Sequence, residues 1–266
     1  MQLEKRATLS IVSHGHGRLV SLLLDDISRQ HQAEAFDVVV TLNIPETPPD
    51  PAKHPTLSLR IRHNAEPLGF GANHNAALKT AQTPWVIILN PDIRLPEPLT
   101  LTNLLERDAD SRTGMRAPII VSPTGEREDS IRGNLDPFSV LRRVARSRLG
   151  LPKEAAAAHG TGRFFWLAGM FLCVPADVFR RVGGFDERFF LYCEDYDLSA
   201  RIVRSGRVLE ICHDVTAVHD ARRSSHASMR YLRLHLHSLV KVWLSPTFWV
   251  IWARDLRVAV GRLLKA

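Results

Sequence analysis

Apolar residues change period several times along the chain, and each change marks an element. TLSIVS (8–13) is a short, apolar, β-branched run, the pattern of a buried strand. Over 18–30 the spacing lengthens, and Leu19, Leu22, Leu23 and Ile27 fall on one helical face. FDVVVTL (36–42) predicts a second strand, and the proline-rich stretch 44–55 a loop. LSLRIRH (57–63) alternates as an edge strand does. Small residues along 71–81 predict a helix. WVIILN (85–90) is the continuous apolar run of a strand buried on both faces. Strand, helix, strand, strand, helix, strand opens a doubly wound α/β fold.

The second half is less regular. MRAPIIVSPTGE (115–126) predicts a strand and a turn. Residues 127–163 are rich in arginine and alanine, weakly patterned, and expected to form a mobile or substrate-facing excursion. Residues 164–185 predict a buried strand, then a short helix from Pro175 closed by Gly183 and Gly184. A further helix is expected over 194–206, with Leu198 and Ile202 inward and Gly206 as its stop. The chain thus divides into an α/β domain over 1–226 and a basic, aromatic helical tail over 227–266, with no internal repeat.

Composition narrows this picture. The 266 residues suffice to bury a real core, and 45% hydrophobic with 24% charged residues is a globular balance. Cys173, Cys193 and Cys212 are scattered and odd in number, so reduced thiols are expected rather than a disulfide framework. The N-terminus lacks a signal-peptide pattern, and no apolar run reaches the ~18 residues of a membrane span. A cytoplasmic location is expected, extending to the inner face of the plasma membrane. The formal charge of +7 is concentrated in 141–150, 221–237 and 254–266. Such clusters attract phosphates, anionic lipid or nucleic acid, or are solvated faces.

Carboxylates carry the candidate chemistry. Asp92 follows the strand 85–90, and ligands of open α/β sheets collect beyond the carboxyl ends of strands. An oxygen ligand there suits Mg²⁺ or Mn²⁺, although Asn-Pro-Asp is also an ordinary turn. Glu194 and Asp195 open a helix, where the dipole favours negative charge. Phe189, Phe190 and Tyr192 just before them would hold the pair in a partly dry cleft, the setting for a positioned base.

Three stretches together resemble family 2 glycosyltransferases, particularly their rhamnosyltransferase-like branch. They are LGFGANHNAALKTAQTPWVIILNPDIRL (68–95), GGFDERFFLYCEDYDLSARIVRSG (183–206) and VTAVHDARRSS (215–225), in matching order and spacing. The resemblance spans most of 7–226. It implies a GT-A fold, with a Rossmann-like nucleotide-binding domain around a mixed central sheet. It also implies a nucleoside-diphosphate-sugar donor, a divalent metal (Mn²⁺ or Mg²⁺) and inversion at the anomeric carbon. By position, Asp92 resembles the metal-binding aspartate that ends the DxD-like motif, and Asn90 stands at that motif's first aspartate. Asp195 falls on the catalytic base of the Glu-Asp motif, beside Glu194. His219 matches the histidine after the last core strand that helps bind metal or diphosphate. Gly169, with Trp166 just before it, matches the acceptor side of the pocket. Ser13, His14 and Gly15 would line the donor nucleotide, as would Gly69 and Asn73. Arg222 and Arg223 would add donors to its diphosphate.

Two departures concern the nucleoside. The family's aspartate after the second strand is replaced by Leu42, leaving Asn43 or Glu46 as substitutes, and SHGHG stands at 13–17 where the family often has TYN. UDP- and dTDP-linked donors both fit this pattern. The tail, with Trp243, Phe248, Trp249 and Trp252 among basic residues, suits a membrane-interface helix serving a saccharide or lipid-linked acceptor in surface polysaccharide synthesis. The alternatives are packing back on the domain or pairing as a homodimer. A nucleotidylyltransferase would need a glycine-rich triphosphate loop, which SHGHGR matches poorly. A degenerate or non-catalytic module binding membrane or nucleic acid would not require these carboxylates. No specific nucleic acid is expected as partner.

Overall fold

A computed structural model describes residues 3–107, 112–150, 162–220 and 229–263. The predicted strands form as β1 (Ala7–Ser13), β2 (Phe36–Leu42), β3 (Ser58–His63) and β4 (Trp85–Leu89). They lie parallel in the order β3-β2-β1-β4, because α1 (Gly17–Ser28) and α2 (Phe70–Leu78) return the chain between them. The second half adds β5 (Ile93–Arg94), α3 (Thr100–Glu106), β6 (Thr113–Val121), β7 (Ile131–Gly133), α4 (Pro137–Arg148), β8 (Phe165–Leu167), β9 (Phe171–Pro175), α5 (Ala176–Arg181), α6 (Glu194–Arg204) and β10 (Val208–His219). β9 enters antiparallel between β4 and β6, and the sheet continues through β10 to β5. This is the expected mixed eight-stranded sheet.

Both faces are covered, as the continuous apolar strands require. Ile87 and Leu89 point into one core with Leu23, Leu24 and Ile27 of α1 and Leu101 and Leu104 of α3. Val86 and Ile88 point into the other with Val178, Phe179, Leu198 and Ile202 of α5 and α6. Leu22 is only half-buried, and Leu24 takes its predicted inward place. The three cysteines are free and buried in the fold.

Two buried charges fasten the second half to the first. Asp26, at 1% exposure, accepts from Arg94 Nη2 at 2.8 Å and from the Leu95 amide at 3.0 Å, clamping α1 to β5. Arg116, fully buried under the Trp85 ring, donates to Glu210 at 2.8 Å and to the Leu104 carbonyl at 3.1 Å. Each buried charge is thus paired and hydrogen-bonded, which its burial demands.

The stretch 127–163 holds more regular structure than its weak pattern suggested. It contains β7, paired antiparallel with β8 in a second small sheet, and the helix α4; residues 151–161 lie outside the described residues. Its helical signal is inverted, since most apolar residues of α4 face outward while Val140 packs inward. The tail forms α7 (Met229–Leu244) and α8 (Pro246–Leu263). Leu239, Val242, Phe248 and Ile251 pack on Phe189, Tyr196 and Trp166 in a third core, so the tail packs back on the domain. No helix among the described residues is long and apolar enough to cross a membrane.

Candidate active site

The candidate site is organised by one turn, Ala168–Met170, between β8 and β9. The Asn90 amide donates to the Met170 carbonyl at 2.9 Å, and the Gly169 amide donates to Asp195 Oδ2 at 2.9 Å. Asn90–Asp92 and Glu194–Asp195, about a hundred residues apart in sequence, therefore meet at neighbouring residues of a single loop. The turn is close-packed: a Cβ at Gly169 would lie 3.2 Å from the Phe70 ring, a tight contact, and 3.6 Å from Asp195 Cβ.

Asp195 Oδ1 accepts from the Tyr196 amide at 2.9 Å, so both oxygens are held by backbone donors and each keeps a free lone pair. The approach to α6 is strained. Tyr192 (φ 71°) and Cys193 (φ 65°) are consecutive non-glycine residues in the left-handed region, and they turn the chain sharply into the helix. Burial raises the Asp195 pKa, opposed by Arg132 and by the amides of Gly169, Tyr196 and Asp195 itself. Burial first, and the Asp195 charge second, push Glu194 up to about 8. Glu194 is 5% exposed, and its Oε2 has no hydrogen-bond partner. Phe189 is buried in the third core with Tyr192 packed against it; Phe190 is exposed, and its carbonyl accepts from the Phe70 amide at 2.9 Å.

The second carboxylate group is built by strand pairing. β5 and β10 are antiparallel with His219 opposite Ile93, and the Asp220 amide donates to the Asp92 carbonyl at 2.9 Å. His219 is the last residue of β10 rather than beyond it. Its Nε2 lies 3.3 Å from Asp92 Oδ2, and its Nδ1 lies 2.6 Å from Glu128. Burial lowers the His219 pKa, but the hydrogen bonds and charges of Asp92 and Glu128 outweigh it and raise it to about 9. Asp92 Oδ1 is buried without a partner. An orphaned carboxylate oxygen beside an imidazole suits a divalent cation that takes its remaining ligands from substrate phosphates and water. No group of three or more His, Cys, Asp or Glu among the described residues could hold a metal by itself.

At the nucleoside end, the predicted residues are together but largely engaged with one another. Asn43 donates to the Leu68 carbonyl at 3.0 Å and contacts His14 at 3.2 Å; its oxygen accepts from Asn64 and the Leu68 amide, each at 2.8 Å. Asn73 accepts from Asn64 at 2.6 Å and donates to the Leu68 and Gly69 carbonyls. Ser13 Oγ accepts from the His16 amide, and Gly15 (φ 79°) donates to Glu46 at 3.1 Å. Leu42 is a core residue. Gly69 passes under the 190 loop: a Cβ would stand 2.6 Å from the Phe190 carbonyl oxygen.

Trp166, expected on the acceptor side, is buried and donates to the Gly133 carbonyl at 3.0 Å. Arg132 lies 5.1 Å over its ring and acts on the Asp195 charge. Pattern reading missed Arg132, Glu128 and His235 of α7. His235 packs edge-on against Tyr192 at 5.1 Å, and burial and Arg132 lower its pKa against the pull of Asp195. Nothing local marks these residues; the return of β7 and α7 to α6 brings in Arg132 and His235, and the turn before β7 brings Glu128 to His219. Arg222 and Arg223 lie outside the described residues.

A mixed α/β sheet with carboxylates at a strand end and a helix start defines a GT-A glycosyltransferase, and the chain belongs to glycosyl transferase family 21, whose model matches residues 51–243. The expectation of a family 2-like, rhamnosyltransferase-like chain holds. The chain is 27% identical over 247 residues to the rhamnosyltransferase WbbL of Escherichia coli K12, covering 86% of this chain and 89% of that one. It is 30% identical over 196 residues to the N-acetylglucosaminyl-diphospho-decaprenol L-rhamnosyltransferase of Mycobacterium tuberculosis, covering 65% of this chain and 59% of that one. Among solved structures, the mannosyltransferase PcManGT of Pyrobaculum calidifontis, in complex with GDP-Man and Mn²⁺, shares the fold with a TM-score of 0.60 at 20% identity; the match covers 98% of this chain and 81% of that one.

Proposed function

We propose that this glycosyltransferase moves a sugar, rhamnose by analogy with its relatives, from a UDP- or dTDP-linked donor to a hydroxyl of a saccharide or lipid-linked saccharide, with inversion. The observation that carries the reading is the convergence of Asp195 and Asn90–Asp92 on the Gly169–Met170 turn. Displacement at an anomeric carbon needs a base for the incoming hydroxyl and charge stabilisation for the departing diphosphate. Asp195 serves the first need. Its amide contacts aim the carboxylate, and its raised pKa makes it a stronger base than an exposed aspartate. The acceptor oxygen bonds to the anomeric carbon as its proton passes to Asp195, and the carbon–oxygen bond to the diphosphate breaks. Asp92 and His219 would serve the second need by holding Mn²⁺ or Mg²⁺, the imidazole giving up its proton as the cation binds, with Glu128 orienting the ring. Such a cation supplies Lewis-acid stabilisation of the leaving diphosphate. Arg132 and His235 face the acceptor.

The test is transfer from UDP- and dTDP-sugars to a short-chain diphospho-linked saccharide, with and without Mn²⁺. We expect metal-dependent transfer from one donor class, and an Asp92→Asn variant with Mn²⁺ affinity lowered about 10–100-fold. Unchanged metal affinity in Asp92→Asn would remove Asp92 from the site. Absence of transfer from every nucleotide sugar would overturn the donor assignment.

A further inference from the structure

α4 is anchored along one side only. Asp136 accepts from the Ser139 amide at 3.0 Å at its start, Val140 packs into the third core, and Arg143 donates to the Gly133 and Asn134 carbonyls. At about 100° per residue, Phe138, Leu141, Ala145 and Leu149 fall together on the side away from Val140. Phe138 is 74% exposed and Leu149 73%. Arg142 and Arg146 flank this stripe on one edge and Arg148 on the other, and PFSVLRRVARSR contains no acid. α8 repeats the pattern with exposed Trp249, Leu256 and Val260 at i, i+7 and i+11. Phe138 and Arg142 of α4 and Trp252 and Leu256 of α8 line one common cavity, above the buried Asp136 and Asp255, so the two stripes lie side by side.

We infer that the outer faces of α4 and α8 form an in-plane contact surface for an anionic lipid membrane. Aromatic and aliphatic side chains bordered by arginines match the boundary between acyl chains and phosphate headgroups. A second copy would set the α4 arginines against their own kind, and a nucleic acid would gain nothing from Phe138 and Leu141. The one acid of α8, Asp255, is buried and bonded to Asn134 and the Phe164 amide, so it does not oppose an anionic surface. α4 grows directly from β7, which carries Arg132 beside Asp195, so the lipid surface lies on the acceptor side of the site. The inference deepens the lipid-linked-acceptor reading, but vesicle binding measures it without any transfer reaction, so the two can fail separately.

The test is flotation of the full chain with phosphatidylcholine vesicles, with and without phosphatidylglycerol. We expect binding that requires phosphatidylglycerol, weakens with salt, and falls about tenfold or more in Phe138→Ser/Leu141→Ser and again in Trp249→Ser/Leu256→Ser. Arg148→Glu should weaken it in the same direction. Phe138 and Leu141 are exposed, so the melting temperature of the α4 double variant and its transfer to a water-soluble acceptor should stay unchanged. No binding by the wild-type chain, or equal binding by the α4 double variant, would overturn the inference. A wild-type dimer that the α4 variant dissociates would overturn it too, by making the face a contact between copies.

Discussion

Glu194 and Asp195 are adjacent, but their surroundings separate them. Asp195 is held by two amides and faced by Arg132, whereas Glu194 Oε2 has no partner and its carboxyl is pushed up to about 8. A raised folded-state pKa means that the folded chain keeps a proton the unfolded chain has lost. Its stabilising contribution is therefore complete below the unfolded value, near 4.5, and is lost as pH rises through about 8. Glu194→Gln cannot lose that proton. Its unfolding free energy from urea titration should match wild type near pH ~5 and exceed it near pH ~9, by about 1–3 kcal/mol. A gap of the opposite sign at high pH would mean that the ionised Glu194 has a favourable partner.

Elements reach the site through close backbone approach. The 190 loop lies against the start of α2 because Gly69 has no side chain there: a Cβ would stand 2.6 Å from the Phe190 carbonyl oxygen and 2.8 Å from its Cα. Gly69→Ala should destabilise the fold by about 1–3 kcal/mol and weaken donor binding, as read by denaturation and nucleotide titration. Wild-type stability in that variant would show that the 190 loop yields freely. Much of the element order was legible in the sequence because strands such as 36–42 and helices such as 194–204 state their period locally. α4 was not, because its apolar residues face outward and its period pointed to no core. The motif carboxylates could be found through their sequence context. Glu128 could not: it meets His219 across 91 positions, through the return of the 122–128 turn beside β10.

At the scale of the whole molecule, the tail and α6 form one unit. Asp255 of α8 accepts from Asn134 at 3.0 Å, and Asn134 in turn accepts from the Tyr196 hydroxyl at 2.8 Å. Tyr196 is the residue next to Asp195, so packing of the tail is transmitted to the proposed base. No periodicity announces that relay, since each member is an isolated polar residue within an apolar stretch. The central claim is that Asp195 takes the acceptor proton while Asp92 and His219 hold the donor end. The most direct measurement compares Asp195→Asn with wild type for transfer rate and for donor dissociation constant in the presence of Mn²⁺. The account predicts kcat lower by about 10²–10⁴-fold, with donor affinity within about twofold of wild type. Full transfer activity in Asp195→Asn would contradict it.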